Sequence, residues 1–350
     1  KAGEKLLAEL IAAEHKLALI QSTPTVYAGQ FSQPGPTHRL YRGEPLAKRE
    51  QVLPDAPEIF TKLNLQADTP ERERRKRLAE WVASPKNPLT ARVIVNRIWQ
   101  FHFGQGLVTT PSDFGAGGVA PTHPELLDWL AQELMAHDWS LKHIHSLILN
   151  SATYQQSGKP NPQANQIDAA SQYWWRFPPR RLEAEPIRDS ILSVTGVLDL
   201  KQGGPGFSAF EVDAENVRHY HPKKTYGPED WRRMIYMTKV RMEQDSVFGL
   251  FDCPDAATTV AKRSRSTTPL QALNLFNSTF LLQQADLFSK RLETEKPHDL
   301  PAQVNRAFEL CFSRPPTQTE QAEAIAFINQ YQLPAFCRAL LNSNELLFIQ

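Results

Sequence analysis

Apolar residues recur at helical spacing through most of the chain. In NPLTARVIVNRIWQFHFGQG (87–106), Ala91, Ile94, Val95, Ile98 and Phe101 fall three and four apart, and Val93 and Trp99 add apolar surface on the other side. Asn87 is a good N-cap, Pro88 suits the first helical position, and Gly104 and Gly106 stop the run. The pattern predicts a helix buried nearly all round. In PTHPELLDWLAQELMAHDW (121–139), Thr122 or His123 caps, Pro124 opens the helix, and Leu126, Leu127, Leu130 and Leu134 form its core stripe. A third helix starts at Ser140 and buries Leu141, Ile144, Leu147 and Ile148. Short connections between these helices predict a local bundle.

Further helices are expected over 183–198, 230–243, 269–293, 301–312, 317–331 and 333–343. Pro186 is tolerable only near the start of the first of these. Thr268-Pro269 and Thr317 mark two other starts. Residues 1–20 carry a stripe of Leu6, Leu7, Leu10, Ile11, Leu17 and Ile20, which predicts an amphipathic helix. Residues 21–70 are Pro-rich, with short strands expected at 26–29 and 38–43 and extended loop wrapping a larger body elsewhere. ERERRKRL (71–78) is a charged helix start with a solvated face. Residues 201–230 lack periodicity and read as a long irregular segment, the kind that in a compact domain is usually functional. The expected fold is mostly α: a multi-helix, bundle-like domain with long irregular loops and at most a minor β-hairpin. Its expected organisation is an N-terminal helix plus wrapping segment over 1–70 and a main helical domain over 71–350.

Composition narrows the function classes. A 350-residue chain with 41% hydrophobic and 22% charged residues can build a real core. Net charge is +1, which argues against a nucleic-acid binder that neutralises many phosphates. No apolar run approaches the roughly 18–20 residues of a membrane span. The opening stretch lacks an initiator methionine and a signal-peptide pattern, so a fragment or processed chain is expected. Cys253, Cys311 and Cys337 contain no C-x-x-C pair. They read as buried apolar residues, with a Cys311–Cys337 bridge as the alternative.

Four clusters carry candidate chemistry. In NVRHYHPKK (216–224), His219 and His221 stand in H-x-H spacing beside Arg218 and Tyr220, with Trp231 downstream. Two histidines can share a metal ion, but a zinc site needs at least three protein ligands, and Glu211, Asp213 or Glu215 would have to supply the third. The competing reading is a recognition or packing loop. In RRLEAEPIRDS (180–190), Arg180, Arg181, Glu183, Glu185, Arg188 and Asp189 crowd one helix start, as an ion-pair network or an anion-binding site would. Lys262, Arg263 and Arg265 precede the helix start at Pro269, where free N–H groups favour anions. His143 and His145 lie on opposite sides of one helix, the first exposed and the second a satisfied core histidine. Walker, H-E-x-x-H, G-x-S-x-G and dinucleotide motifs do not occur.

Several ordered stretches together resemble one family: 87–108, 112–131, 139–157, 180–192, 231–240, LFDCPDA (250–256), KRSRSTTPLQALNLFNS (262–278) and 340–349. It is the domain of unknown function found downstream of cytochrome c-like domains in planctomycete and verrucomicrobial proteins. The resemblance runs from about residue 40 to the end. It implies an exported, extracytoplasmic, multi-domain setting, with c-type haem in an upstream domain or partner and none in this chain. It carries over no catalytic residues. Two functions follow as expectations. The first is a helical docking module that holds a cytochrome c-like domain, another protein or a polysaccharide through the 201–230 loop. The second is a carbohydrate-acting hydrolase or oxidoreductase with a site between 180–189, 211–233 and 262–268. Convergence of these segments on one pocket discriminates the two.

Overall fold

A computed structural model describes residues 28–214, 218–241 and 243–349, together with residues 3, 6, 10–14, 16 and 17. The chain divides into two compact units, Lys1–Thr90 and Ala91–Gln350. In the first, the described residues before 18 are helical, as the N-terminal stripe predicts. Leu6, Leu10, Ile11 and Leu17 of that stripe are exposed. Of the strand expected at 26–29, Val26 and Tyr27 lie outside the described residues, and Ala28 and Gly29 are not in a strand. Strand β1 (Thr37–Leu40) pairs antiparallel with β2 (Lys48–Val52). Helix α1 (Glu71–Val82) buries no residue, in keeping with its charged sequence.

The second unit is mostly helical, with small antiparallel strand pairs, as the periodicity predicts. Its first core gathers α2 (Thr90–Phe103), α3 (Pro124–Ala136) and α4 (Leu141–Leu149) around Val95, Trp99, Phe103, Leu130, Leu134 and Ile144. Phe101 departs from the expected all-round burial of α2 and is exposed, as is Leu141 in α4. Gly104 ends α2 at φ +84°, and a Cβ there would collide with the Arg265 guanidinium. Short helices α5 (Ala152–Gln155) and α6 (Pro162–Ile167) follow, and Trp174 and Phe177 complete this core. His145 is satisfied, at 2.8 Å from His102, but half-buried rather than core, and His143 is half-buried rather than exposed.

The second core is built on α7 (Ala184–Thr195), α8 (Pro269–Asn277), α9 (Thr279–Glu295), α10 (Leu300–Phe312), α11 (Gln318–Tyr331) and α12 (Leu333–Leu341). Helix α9 packs on α7 and α12 through Phe280, Leu281, Phe288 and Leu292. The single helix expected over 269–293 is two helices. Ser278 takes an extended conformation (φ −66°, ψ 143°), and its hydroxyl accepts the Leu281 N–H, so the serine caps a new helix. Pro186 sits in the first turn of α7, and Gly196 closes that helix at φ 82°. Strand β3 (Arg180–Arg181) pairs with β6 (Phe348–Ile349), next to the short helix α13 (Asn344–Leu347). The Cys311–Cys337 bridge is not formed. Both residues are free, buried thiols, and burial pushes Cys311 up to about 12.

Two expectations fail in the 201–243 region. The irregular segment contains an antiparallel hairpin, β4 (Phe210–Ala214) with β5 (Arg218–Pro222). The helix expected over 230–243 is replaced by 3-10 turns at Pro228–Asp230 and Met234–Tyr236. The physical reason is that this backbone bonds outward rather than along itself. The carbonyls of Trp231 and Tyr236 accept the N–H groups of Asp199 (3.0 Å) and Phe207 (3.1 Å). Those of Asp230 and Arg232 accept from the Arg188 guanidinium.

Past α10, Arg314 forks onto Glu320 and Glu345 with four contacts of 2.6–2.9 Å. The Arg314 hydrogen bonds hold the Glu320 carboxyl down to about 2. Because the folded-state value is depressed, this carboxylate stabilises the fold above about pH 4.5, and that contribution is lost as pH falls towards 2. An NMR titration will place the Glu320 midpoint near 2. Arg314→Met will return it to the ordinary carboxylate range, and an unchanged midpoint in the variant would refute the assignment.

Candidate functional site

An open cleft of about 750 Å³ lies between the start of α7, the 233–239 strip and the loop after Asp252. Its wall on α7 carries Glu183, Glu185, Asp189, Ser190 and Ser193; across from it stand Arg233, Lys239, Cys253 and Arg263. Met234, Ile235, Met237 and Pro254 supply apolar surface.

Local sequence explains the arrangement. In α7, Arg188 points inward and is only 3% exposed. Its guanidinium donates to the Arg232 carbonyl at 2.7 Å and to the Asp230 carbonyl, pinning the 230–232 backbone. The next residue, Asp189, therefore meets the following turn, accepting from Met234 N–H (2.8 Å) and Arg233 Nε (3.0 Å). On the other side, Asp252 sits at φ 59° and binds Arg181 Nη2 (2.7 Å), Ser266 N–H (2.8 Å) and Ser266 Oγ (2.9 Å). This knot closes the loop 252–266. Within the loop, Arg263 Nη1 reaches Glu183 (2.8 Å) and Glu185 (2.7 Å).

The electrostatics limit the chemistry. Burial, the largest single influence, would raise the Glu185 carboxyl, but the Arg263 hydrogen bonds, a backbone hydrogen bond and the charges of Arg263 and Lys239 together outweigh it and leave Glu185 below its usual range. Glu185 is thus held as an acceptor for the Arg263 guanidinium. Lys239 Nζ donates to Cys253 Sγ at 2.9 Å, and Glu185 Oε1 lies 3.9 Å from the same sulfur. Burial nevertheless pushes the Cys253 thiol up, against the pull of Lys239, so it stays protonated at neutral pH. The cleft presents exposed ammonium and guanidinium groups at Lys239 and Arg233, serine hydroxyls, carboxylates and apolar surface.

The sequence pattern of a family described as a protein of unknown function (DUF1553, PSD1) matches residues 74–328. The chain belongs to this family. No curated protein and no solved structure matches it. All of the cleft residues fall inside the span matched to DUF1553.

Of the residues singled out in this DUF1553 chain, Glu183, Asp189 and Arg263 line the cleft, with Glu185 between them. Arg180, Arg181 and Arg265 border a smaller adjoining cavity of about 200 Å³. Arg180 donates to the Phe101 carbonyl at 2.8 Å, and Arg265 reaches Glu183 at 3.4 Å. Arg181 and Arg188 are buried structural cations. Lys262 is exposed and borders neither cavity. The 180–189 and 262–268 clusters therefore converge, which their separation in sequence did not show.

The hairpin stays outside the cleft. Arg218, His219 and His221 are exposed, Tyr220 packs edge-on to Phe210, and Trp231 is buried against Phe280. His221 pairs with Asp213 at 3.0 Å, and Asp213 is the cross-strand partner of His219. Among the described residues no third metal ligand joins these histidines, and Glu215 lies outside them. Sequence reading missed Lys239, which fell within an expected helix; Cys253 is buried as expected, but its place on the cleft wall was not foreseen. The dense polar residues on either side of LFDCPDA were the available signal.

Proposed function

We propose that this DUF1553 chain is a ligand-binding domain of an exported, cytochrome c-associated protein, and that its cleft takes an acidic saccharide. The observation that carries the reading is convergence: α7, the 233–239 strip and the 253–263 loop bring Glu185, Lys239, Cys253 and Arg263 into one concave site, where the protonation equilibria of Glu185, Cys253 and Arg263 are shifted. Lys239 and Arg233 suit a carboxylate or sulfate, Ser190, Ser193 and the carboxylates suit sugar hydroxyls, and the apolar surface suits a pyranose face. The exported, haem-linked setting rests on the sequence resemblance alone.

A second reading is favoured by one feature. The β4–β5 hairpin presents Arg218, His219 and His221 to solvent, as a docking surface for a cytochrome c-like domain would. One experiment separates the two. Neutral, uronic and sulfated oligosaccharides, and in parallel a c-type cytochrome domain, are titrated against the wild-type chain, Lys239→Met and Arg218→Glu. The cleft reading expects saturable binding of acidic saccharides only, weakened about tenfold or more in Lys239→Met, as loss of a charge-assisted hydrogen bond implies. Binding of the cytochrome domain alone, sensitive to Arg218→Glu, would put docking in its place.

A further inference from the structure

Helices α3 and α4 meet at a turn of unusual tightness. Asp138 and Trp139, neither of them glycine, both lie in the left-handed region at φ 53° and 58°. Side-chain-bearing residues pay roughly 1 kcal/mol or more each for that conformation, and such strain concentrates where geometry matters. The turn is held by Trp139 N–H on the Leu134 carbonyl (2.8 Å) and Ser140 N–H on the His137 carbonyl (3.0 Å). Ser140 then caps α4 through the His143 N–H.

The result is three ligand-type groups in one place. Glu133 and His137 stand four apart at the end of α3 and so share a face. His143 comes back from α4 with Nε2 3.0 Å from Glu133 Oε2, and His137 Nδ1 is 3.4 Å from the same oxygen. The two imidazoles stack at 3.7 Å with their planes 19° apart. One ligand atom from each residue lies within 4.8 Å of the others. In a tetrahedral zinc site with bonds near 2.0–2.1 Å, neighbouring ligand atoms are about 3.3 Å apart, close to the two measured separations; for both nitrogens to face one ion the stacked rings turn apart and His137 Nδ1 leaves the Glu133 carbonyl that it meets at 3.0 Å. No Lys or Arg ion pair neutralises Glu133 among the described residues; its partners are the two histidines.

We propose that Glu133, His137 and His143 bind one divalent transition-metal ion of the zinc class, with the fourth position open to water. Two imidazoles and a carboxylate suit zinc over calcium or magnesium, which prefer all-oxygen shells. This site shares no residue with the cleft, and its fate is independent of the function proposed there.

The test is calorimetric titration of the metal-stripped 350-residue chain with ZnCl₂, with a chromogenic chelator as competitor and circular dichroism as the check on folding. Expected is one saturable equivalent, weakened about 100-fold or more in both Glu133→Gln and His143→Ala and unchanged in His219→Ala/His221→Ala. If His143→Ala loses helicity, His143→Gln serves in its place. The proposal is overturned by the lack of a saturable equivalent in the wild type, by retention of binding in the folded Glu133 and His143 variants, or by loss only in the His219/His221 variant.

Discussion

Arg188→Met will destabilise the second unit by about 3–5 kcal/mol, read as a lowered urea midpoint at unchanged slope. Arg188 is 3% exposed, and burial lowers its guanidinium to about 10, so it stays charged at neutral pH. The guanidinium donates to the carbonyls of Asp230 and Arg232 and lies over the Phe207 ring (4.8 Å to the centroid) and the Phe280 ring (5.7 Å). Methionine refills the volume but satisfies neither carbonyl, and each buried acceptor left unpaired costs about 1–3 kcal/mol. Arg188→Lys keeps the charge but not the planar fork, and will recover about half of the loss. A Met variant within about 1 kcal/mol of the wild type would mean that the 230–232 backbone is held by something else. Because that backbone leads into Arg233 and Met234, the Met variant will also weaken the saccharide binding proposed for the cleft.

Asp252→Ala ranks second, with an expected loss of about 3–4 kcal/mol. Removing the carboxylate leaves the Arg181 charge, on a side chain 5% exposed, with only the Ser266 and Leu182 carbonyls, and breaking one member of a buried pair is far more costly than replacing both. It also frees the Ser266 N–H and hydroxyl. Alanine is poor at φ 59°, whereas asparagine tolerates that conformation and can still accept hydrogen bonds. Asp252→Asn will therefore cost about half as much, which separates the charge from the backbone contribution. Hydrogen exchange at Ser266 is the local readout. It will accelerate in Asp252→Ala, and protection equal to wild type would show that the loop 252–266 does not depend on this knot.

Much of the helical architecture was legible, because an amphipathic stripe and its caps are local features. Ser140, Thr268 and Thr317 act as the N-caps their positions suggest, and Gly104 as the stop, whereas Gly196 ends α7 short of the expected residue 198. The misreadings share one cause. Over 230–243 the apolar spacing resembles a helix, but Arg188 and Phe207, distant in sequence, take up the backbone hydrogen bonds that a helix would have used. Ser278 breaks 269–293 for a related reason: a hydroxyl that can cap a new helix competes with the continuous one, and only packing decides between them.

The candidate site was legible in parts. The clusters 180–189 and 262–268 stood out as charged sequence, but charge density says nothing about partners. The fold pairs Arg263 with Glu183 and Glu185, sends Arg188 into the core and gives Arg181 to Asp252. The most conspicuous motif, H-x-H at 219 and 221, falls on an exposed hairpin, whereas Glu133, His137 and His143, spread over two helices, come together.

By itself, the sequence determined that this is a mostly helical chain with a sizeable core, few strands and a balanced charge, because periodicity, caps and composition act within a few residues of one another. Only the tertiary structure decided which charges line the cleft and which are buried struts, and which histidines meet. Those outcomes depend on contacts between residues ten to eighty positions apart, whose geometry is set by helix packing and turn conformation rather than by local spacing.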